Sequence, residues 1–434
     1  MLSGNNRIII QLNVPILFVK RIQLRLFIHL TNIKMKISKS IICFFEIVFM
    51  IFTTVIVHGQ NKTLNTNKYD IAAFFWPAYH HDNRFEEINV FPEGKGEWEA
   101  IYKSKPKFVG HEVPKVPLWG YEDESDPAVM GKKIQTAVKN GVNVMIFDWY
   151  WYDNKPFLED ALNTGFLKAK NSFDMKFCLM WANCDLNSYL DPTNPDKSKI
   201  YWHGEVDRPI FEKIVSHIIN DYFKRPNYYK INGEPVFSIY ELSTFINGIG
   251  GAAKAKDALE YFRKETVKAG FPGLHLQAIL WGSIPSTIKD VPGDPIVTQN
   301  KTLEYFGFKS MTNYQWCHFV PANGDYMAWG EKAMKKWAEW DTTFKIPYCP
   351  HVSIGWDCNP RYPDKKQDLI VNNKPEYFQI YLQKAKEYID KHPNQPRLIT
   401  INAWNEWAEG SYLEPDKKNG FGYLEAVKKV FIKE

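Results

Sequence analysis

A chain of 434 residues that is 45% hydrophobic, 15% aromatic and 24% charged has the size and composition for one large globular domain or two modest ones, which excludes a disordered or fibrous protein. Its formal charge of +5 sits at the front: residues 1–59 hold seven Lys/Arg and one Glu, and the remainder carries 47 basic and 48 acidic residues. A nucleic-acid binder needs a concentrated basic face to gain affinity by counterion release, and none is visible, so nucleic acid is not an expected partner.

In chain order, the first element is an address. From Met35 the sequence runs through Lys36 and Lys39 into an apolar stretch, Ile41 to Val57, and leaves it at His58-Gly59. A basic start, an apolar middle and a small residue at the exit describe a secretory signal cut near Gly59, with Met35 as the start and residues 1–34 an upstream segment. Glu46 interrupts the run, and a retained membrane anchor is the alternative. The expectation is a secreted or periplasmic protein whose residues 60–434 form one catalytic domain, monomeric and with no stable membrane association after cleavage.

Past Gln60, short apolar and β-branched runs occur at Tyr69 to Phe75, Val142 to Phe147, Lys176 to Trp181, Val236 to Tyr240, Leu274 to Leu280, Ser310 to Tyr314, Ile346 to Ser353 and Leu398 to Ala403. Between them lie segments of helical periodicity, clearest at Pro127 to Asn140, Phe157 to Lys170, Pro209 to Phe223, Ala252 to Ala269, Tyr326 to Phe344, Glu376 to Lys391 and Tyr423 to Ile432. Near-continuous apolar strands alternating with amphipathic helices predict parallel strands covered by helices. Eight such units favour a (β/α)8 TIM barrel, read as a single domain with long loops near 82–126 and 282–305.

Polar and aromatic residues collect where these strands end, which is where a barrel enzyme gathers its chemistry. Trp76, Tyr79 and the doublet His80-His81 follow the first strand. Asp148, Trp149, Tyr150 and Trp151 follow the second, and Trp181, Asn183 and Asp185 the third. Tyr240 and Glu241 close the fourth, Trp281 the fifth, Tyr314 and Trp316 the sixth, Trp356 and Asp357 the seventh. With 15 Trp and 23 Tyr in the chain, many rings are expected to line a site, and flat apolar rings suit the C–H faces of sugars; about half belong to the core on any reading.

The densest cluster leaves the last strand: Asn402-Ala403-Trp404-Asn405-Glu406-Trp407-Ala408-Glu409-Gly410. Two carboxylates three residues apart at a strand-to-loop break can both face a barrel mouth, the pairing that glycosidic cleavage requires. Trp404 and Trp407 are expected to wall the pair and raise one pKa, and Asn405 to orient its neighbour. Asp148 is the next candidate, for holding sugar hydroxyls or, equally, for a structural role; one of His80 and His81 is a candidate substrate contact.

Other chemistries find less support. Gly248-Ile249-Gly250-Gly251-Ala252-Ala253 matches the dinucleotide pattern, placed here after a strand and before a helix, but it falls in the fourth unit with no acidic partner for a ribose; close backbone approach to a ligand is the better reading. There is no P-loop and no G-x-S-x-G. Cys178, Cys184, Cys317, Cys349 and Cys358 are odd in number and irregularly spaced, so no disulfide framework is implied. No metal-site spacing occurs, and neither a metal nor another cofactor is expected.

Ala72 to His81 (AAFFWPAYHH), Phe147 to Tyr152 (FDWYWY) and above all Ala403 to Pro415 (AWNEWAEGSYLEP) resemble the WbsX-type, glycoside hydrolase family 99-like proteins over most of residues 69–425. The resemblance implies a (β/α)8 barrel and kinship to endo-α-mannosidases. Those retain configuration through a 1,2-anhydro sugar: one Glu deprotonates the sugar 2-hydroxyl, which attacks its own anomeric carbon, and the other serves as acid and then base. By position, Glu406 takes the first role and Glu409 the second. This sequence departs from endo-α-mannosidases in carrying Ala408 where they carry His, and Phe74-Phe75-Trp76-Pro77-Ala78-Tyr79-His80 in the first-strand motif. Both changes bear on mannose specificity and leave the carboxylates intact.

The expected activity is hydrolysis of a polysaccharide or glycan at internal bonds. WbsX-type proteins are also named glycosyltransferases, so a glycosyltransferase or transglycosylase of surface polysaccharide assembly is the rival; a non-catalytic glycan-binding protein is the third possibility. A transferase using nucleotide sugars needs a diphosphate site inside the cell, which the export signal opposes.

Overall fold

The eight apolar runs become eight parallel strands: β1 (Asp70–Phe75), β2 (Val144–Tyr152), β3 (Lys176–Trp181), β4 (Glu234–Ile239), β5 (His275–Ile279), β6 (Ser310–Thr312), β7 (His351–Ser353) and β8 (Leu398–Asn402). The computed structural model describes residues 68–281 and 284–432. The upstream segment and the export signal expected between Met35 and Gly59 lie outside those residues, and Lys68–Glu434 forms one compact unit.

The strands pair in the order β6-β5-β4-β3-β2-β1-β8-β7. A parallel bridge, Met311 to Tyr348, joins the two ends, with Met311 N donating to Pro347 O at 2.9 Å and Cys349 N to Met311 O at 2.8 Å. Closure into a ring removes the sheet edges, and the fold is a (β/α)8 barrel. Inside it, buried polar side chains satisfy one another: Thr312 Oγ1 lies 2.7 Å from Thr400 Oγ1, which also meets His351 Nδ1 at 2.9 Å.

Outside the strands lie α1 (Pro127–Lys139), α2 (Arg208–His217), α3 (Leu242–Ile249), α4 (Ala252–Lys268), α5 (Gln299–Phe306), α6 (Tyr326–Thr343), α7 (Pro375–Lys391) and α8 (Gly422–Phe431). Asp126, Asp207 and Asp325 cap α1, α2 and α6 by accepting first-turn N–H groups, and α1, α2 and α7 carry Pro in their first turn. No described helix is long and apolar enough to cross a membrane.

Four local expectations need correction. The run read as ending at Phe147 continues to Tyr152, because a turn at Asp153-Asn154 (φ 47° and 68°) folds Lys155–Phe157 back on the strand's outer half. The helix expected from Phe157 reduces to a π-helix, Ala161–Phe166, in which Gly165 packs against the carbonyl of Glu124. The loop near 82–126 contains short helices at Asn83–Glu87 and Trp98–Lys103, and the one near 282–305 contains the start of α5, capped by Thr298. The glycine-rich motif joins α3 to α4 instead of a strand to a helix. Gly250 (φ 88°) ends α3, and at Gly251 (φ 113°) the close neighbour is Asp290, whose Oδ2 accepts the Ala252 N–H at 2.7 Å. The close approach is made by a side chain of this chain, which leaves no place for a dinucleotide at that turn.

Candidate active site

After β8 the chain folds into a tight hairpin in which Asn405 and Glu406 pair antiparallel with Tyr412 and Ser411 around a turn at Trp407–Glu409, closed by Gly410 at φ 64°. Neighbouring side chains of extended backbone point to opposite faces, so Glu406 turns one way and Asn405 the other. Asn405 accepts the Trp76 N–H and donates to the Trp76 carbonyl, both at 2.8 Å, which ties the motif to the end of β1.

Glu406 and Glu409 both line a cavity of about 170 Å³, together with Trp76, Asp148, Tyr240 and Tyr314 from the ends of other strands. Arg361, Tyr150, Tyr152 and Tyr189 complete its wall. Arg361, buried, donates from Nη2 to Glu406 Oε1 at 2.9 Å and from Nη1 to Glu409 Oε1 at 2.8 Å. The same guanidinium holds Glu97 through Nε at 2.6 Å and Nη2 at 3.1 Å, and Glu97 accepts the Trp76 indole N–H at 2.6 Å.

One guanidinium therefore faces the carboxyls of Glu97, Glu406 and Glu409, with Asp148 nearby. Burial, and next the charge of Glu409, push Glu406 well above the ordinary carboxylate range against the pull of Arg361; burial raises Glu409 too, again opposed by Arg361. Asp148 is pushed well above its usual range by burial, with the Tyr314 hydrogen bond opposing. The Tyr314 hydroxyl lies 2.8 Å from Asp148 Oδ2 and 3.2 Å from Glu406 Oε2. It has one hydrogen, so a proton on one of the two carboxyls completes the pair of bonds. The buried Asp148 Oδ1 has no hydrogen-bond partner among the described residues. Tyr189 donates to Glu409 Oε1 at 3.3 Å. The arrangement places close carboxyls of raised proton affinity in a tyrosine-lined cavity, which is the equipment of acid–base chemistry.

Several sequence-expected site residues lie elsewhere. Along β2, Asp148, Tyr150 and Tyr152 face the cavity, while Trp149 and Trp151 face the helices; Trp149 donates to Glu159 Oε1 at 2.6 Å and both rings pack on His217. Trp181 is buried between Phe211 and Phe245. Asn183 bonds both backbone groups of Glu241 at 2.8 Å, locking the ends of β3 and β4. Tyr79 stacks on Trp98, and its hydroxyl accepts the N–H groups of Trp407 and Ala408. His80 is buried with Nδ1 on the His81 carbonyl, and His81 pairs with Asn83 near the surface. Trp281 lies behind Tyr240, donating to its carbonyl at 2.8 Å. Trp356 lines a separate cavity of about 390 Å³ beyond Gly410. Trp404 and Trp407 are buried in the core, not walls of the cavity; Trp407 stacks on Tyr412 at 3.7 Å. Burial at the barrel mouth thus comes from tyrosines, and these tryptophans support the site from behind.

Sequence reasoning missed Arg361, Glu97 and Tyr189. Arg361 sits in the loop after β7, just past the Trp356-Asp357 pair, and a basic residue in a strand-end loop was the available signal. Tyr150 was in view beside Trp149 and Trp151; counting by twos from Asp148 selects it. Among the described residues no group of His, Cys, Asp and Glu has a metal-binding arrangement.

The family model described as "Glycosyltransferase WbsX" matches residues 71–427. A protein named "Uncharacterized protein WxcX" from Xanthomonas campestris pv. campestris is 26% identical over 367 residues, which are 84% of this chain and 50% of that protein. The chain thus spans about half the length of the curated relatives it matches. Among solved structures, the GH99 endo-alpha-mannosidase from Bacteroides thetaiotaomicron superposes with a TM-score of 0.51 at 16% identity, covering 83% of this chain and 95% of that one. A structure titled "Glycoside hydrolase-like protein" gives 0.54 at 14% identity, covering 84% and 94%. At these identities the likeness is one of fold.

Proposed function

The chain belongs to the WbsX family, and we propose that it is a secreted or periplasmic retaining glycoside hydrolase that cleaves a polysaccharide or glycan at internal bonds. The observation that carries this reading is the convergence of Glu406 and Glu409 on Arg361 in one cavity with Asp148. With the shared proton on Asp148, Glu406, held by Arg361 and Tyr314, accepts the proton of the sugar 2-hydroxyl as that oxygen attacks the anomeric carbon, and returns it to the same oxygen when the ring reopens. Glu409, whose Oε2 has no protein partner among the described residues, protonates the departing oxygen and then takes a proton from the water that opens the 1,2-anhydro ring. Asp148, Tyr240 and Tyr314, which line the cavity, bind hydroxyls and ring faces at the reacting sugar.

Electrostatics favour hydrolysis over transfer from a nucleotide sugar. Arg361 is the one cation among the described residues lining the cavity, and its donors are committed to three glutamates. A diphosphate entering there meets carboxyls in place of free cations.

The experiment is a panel of polysaccharides incubated with wild type and Glu409→Gln. New reducing ends of retained anomeric configuration, lost by about 10² to 10⁴-fold in Glu409→Gln with binding preserved, are the expected result. Transfer from UDP- or GDP-sugars instead makes it a transferase, and binding without turnover in both proteins makes it a lectin-like module. The amino terminus of periplasmic or secreted protein, read by mass spectrometry, tests export.

A further inference from the structure

Behind the hairpin that carries Glu406 lies a second ionic cluster, separate from Arg361. The side chain of Lys133, on α1, is wholly buried, with Nζ 2.5 Å from Glu124 Oε1 and 2.8 Å from Glu414 Oε1. The remaining oxygens are taken by the catalytic hairpin itself. Asn405 Nδ2 donates to both oxygens of Glu124 at 2.9 and 3.0 Å, and the Trp407 indole N–H donates to Glu414 Oε2 at 3.1 Å. Asn405 and Trp407 are the two neighbours of Glu406 in sequence. Each is anchored on the side of the hairpin away from the cavity, and both anchors hang from one ammonium group. The backbone N–H of Glu124 also bonds the carbonyl of Tyr79, whose hydroxyl receives the Trp407 and Ala408 N–H groups.

We propose that Lys133, acting through Glu124 and Glu414, is the positioning residue for Glu406: by pinning Asn405 and Trp407 it fixes the hairpin so that the carboxyl between them projects onto Arg361. The role rests on the reading of Glu406 as a catalytic group. A buried lysine with two carboxylates is costly to desolvate and is often replaceable by apolar residues without loss of stability, so stability alone gives a weak reason for it here. Placement gives a better one, since a displacement of about 1 Å at a reacting group can cost about 10²-fold in rate.

The test compares Glu414→Gln and Lys133→Met with wild type by crystallography, thermal melting and steady-state cleavage of whichever glycan the panel identifies. Glu414→Gln preserves shape and answers the question if Lys133→Met fails to fold. The expected result is a folded Glu414→Gln protein in which Glu406 Oε1 has moved out of hydrogen-bond reach of Arg361 Nη2, with kcat lowered about 10- to 100-fold, KM within about twofold of wild type, and no further loss when Glu414→Gln is added to Glu406→Gln. A retained 2.9 Å contact with unchanged kcat and only a lower melting temperature overturns the proposal, as does a loss that simply adds to that of Glu406→Gln. If the wild type cleaves nothing, the hydrolase reading fails by itself and the position of Glu406 in the variant crystals still decides the role of Lys133.

Discussion

Arg361 and Glu97 meet side-on, Nε to Oε1 at 2.6 Å and Nη2 to Oε2 at 3.1 Å, although 264 residues separate them. The paired bonds set the plane of the guanidinium, and that plane aims its two Nη groups at Glu406 and Glu409.

Arg361→Lys keeps the charge and loses the fork. We expect it to remain folded while kcat/KM falls by about 10²-fold, because one ammonium cannot orient three carboxyls at once. Arg361→Ala leaves those carboxyls buried and unpaired and should cost about 3–5 kcal/mol in urea denaturation. An Arg361→Lys enzyme with wild-type kinetics would remove the guanidinium from the account of the site.

Glu406→Gln should stabilise the fold at alkaline pH. Burial raises the folded-state pKa of Glu406 above its ordinary value of 4.5, so the folded chain binds that proton more tightly than the unfolded one. The resulting stability is fully present below the unfolded value and is lost as pH rises through the folded one. Melting temperatures of wild type and Glu406→Gln, compared at about pH 4 and about pH 8, should favour the variant more at the higher pH; a gap that narrows or reverses as pH rises contradicts the assignment.

Asp357 behaves in the opposite sense. Burial alone would raise it, but the His111 hydrogen bond, the Lys115 charge and the Asn359 amide prevail and hold it at about 2. Its contribution, about 2 kcal/mol, is present above the unfolded value near 3.8 and is lost as pH falls through 2. Urea denaturation of Asp357→Asn should show that deficit at about pH 6 and a shrinking one below about pH 4. The loop concerned bonds the hairpin that carries Glu406 and Glu409, Asp357 N to Glu409 O at 2.6 Å, so acid should loosen the site before the barrel.

Neighbouring residues on β2 should separate function from stability. Tyr150→Phe removes a hydroxyl from the cavity wall and is expected to lower kcat/KM by about tenfold with an unchanged melting temperature. Trp149→Phe removes the indole bond to Glu159 on the other face and should cost about 1–3 kcal/mol with kcat/KM within about twofold. The converse pattern would mean that the strand presents the other face to the mouth.

The barrel was legible from local pattern because each strand and most helices declare themselves within about a dozen residues: Val142 to Phe147 reads as a buried strand and Pro127 to Asn140 as an amphipathic helix without reference to the rest of the chain. Glu406 and Glu409 were legible as a pair for the same reason, since both lie in one short segment that leaves a strand. The other expected site residues stand near strand ends or beside the two glutamates, and that signal does not say which face a side chain takes. Trp149 and Tyr150 are equally near the end of an apolar run, and only the pairing of β2 with its neighbours and with Lys155–Phe157 decides that the tyrosine enters the cavity.

Local sequence pattern by itself determined the architecture and singled out the two glutamates that converge in one cavity. Tertiary structure alone decided the electrostatics, because the groups that set them come together from distant parts of the chain: Glu97 from the loop after β1, Asp148 from β2, Tyr314 after β6 and Arg361 after β7. Hydrophobic pattern is a property of neighbours in sequence, whereas the proton affinity of a buried carboxyl depends on the charges and solvent around it in space, and those exist only once the ring has closed.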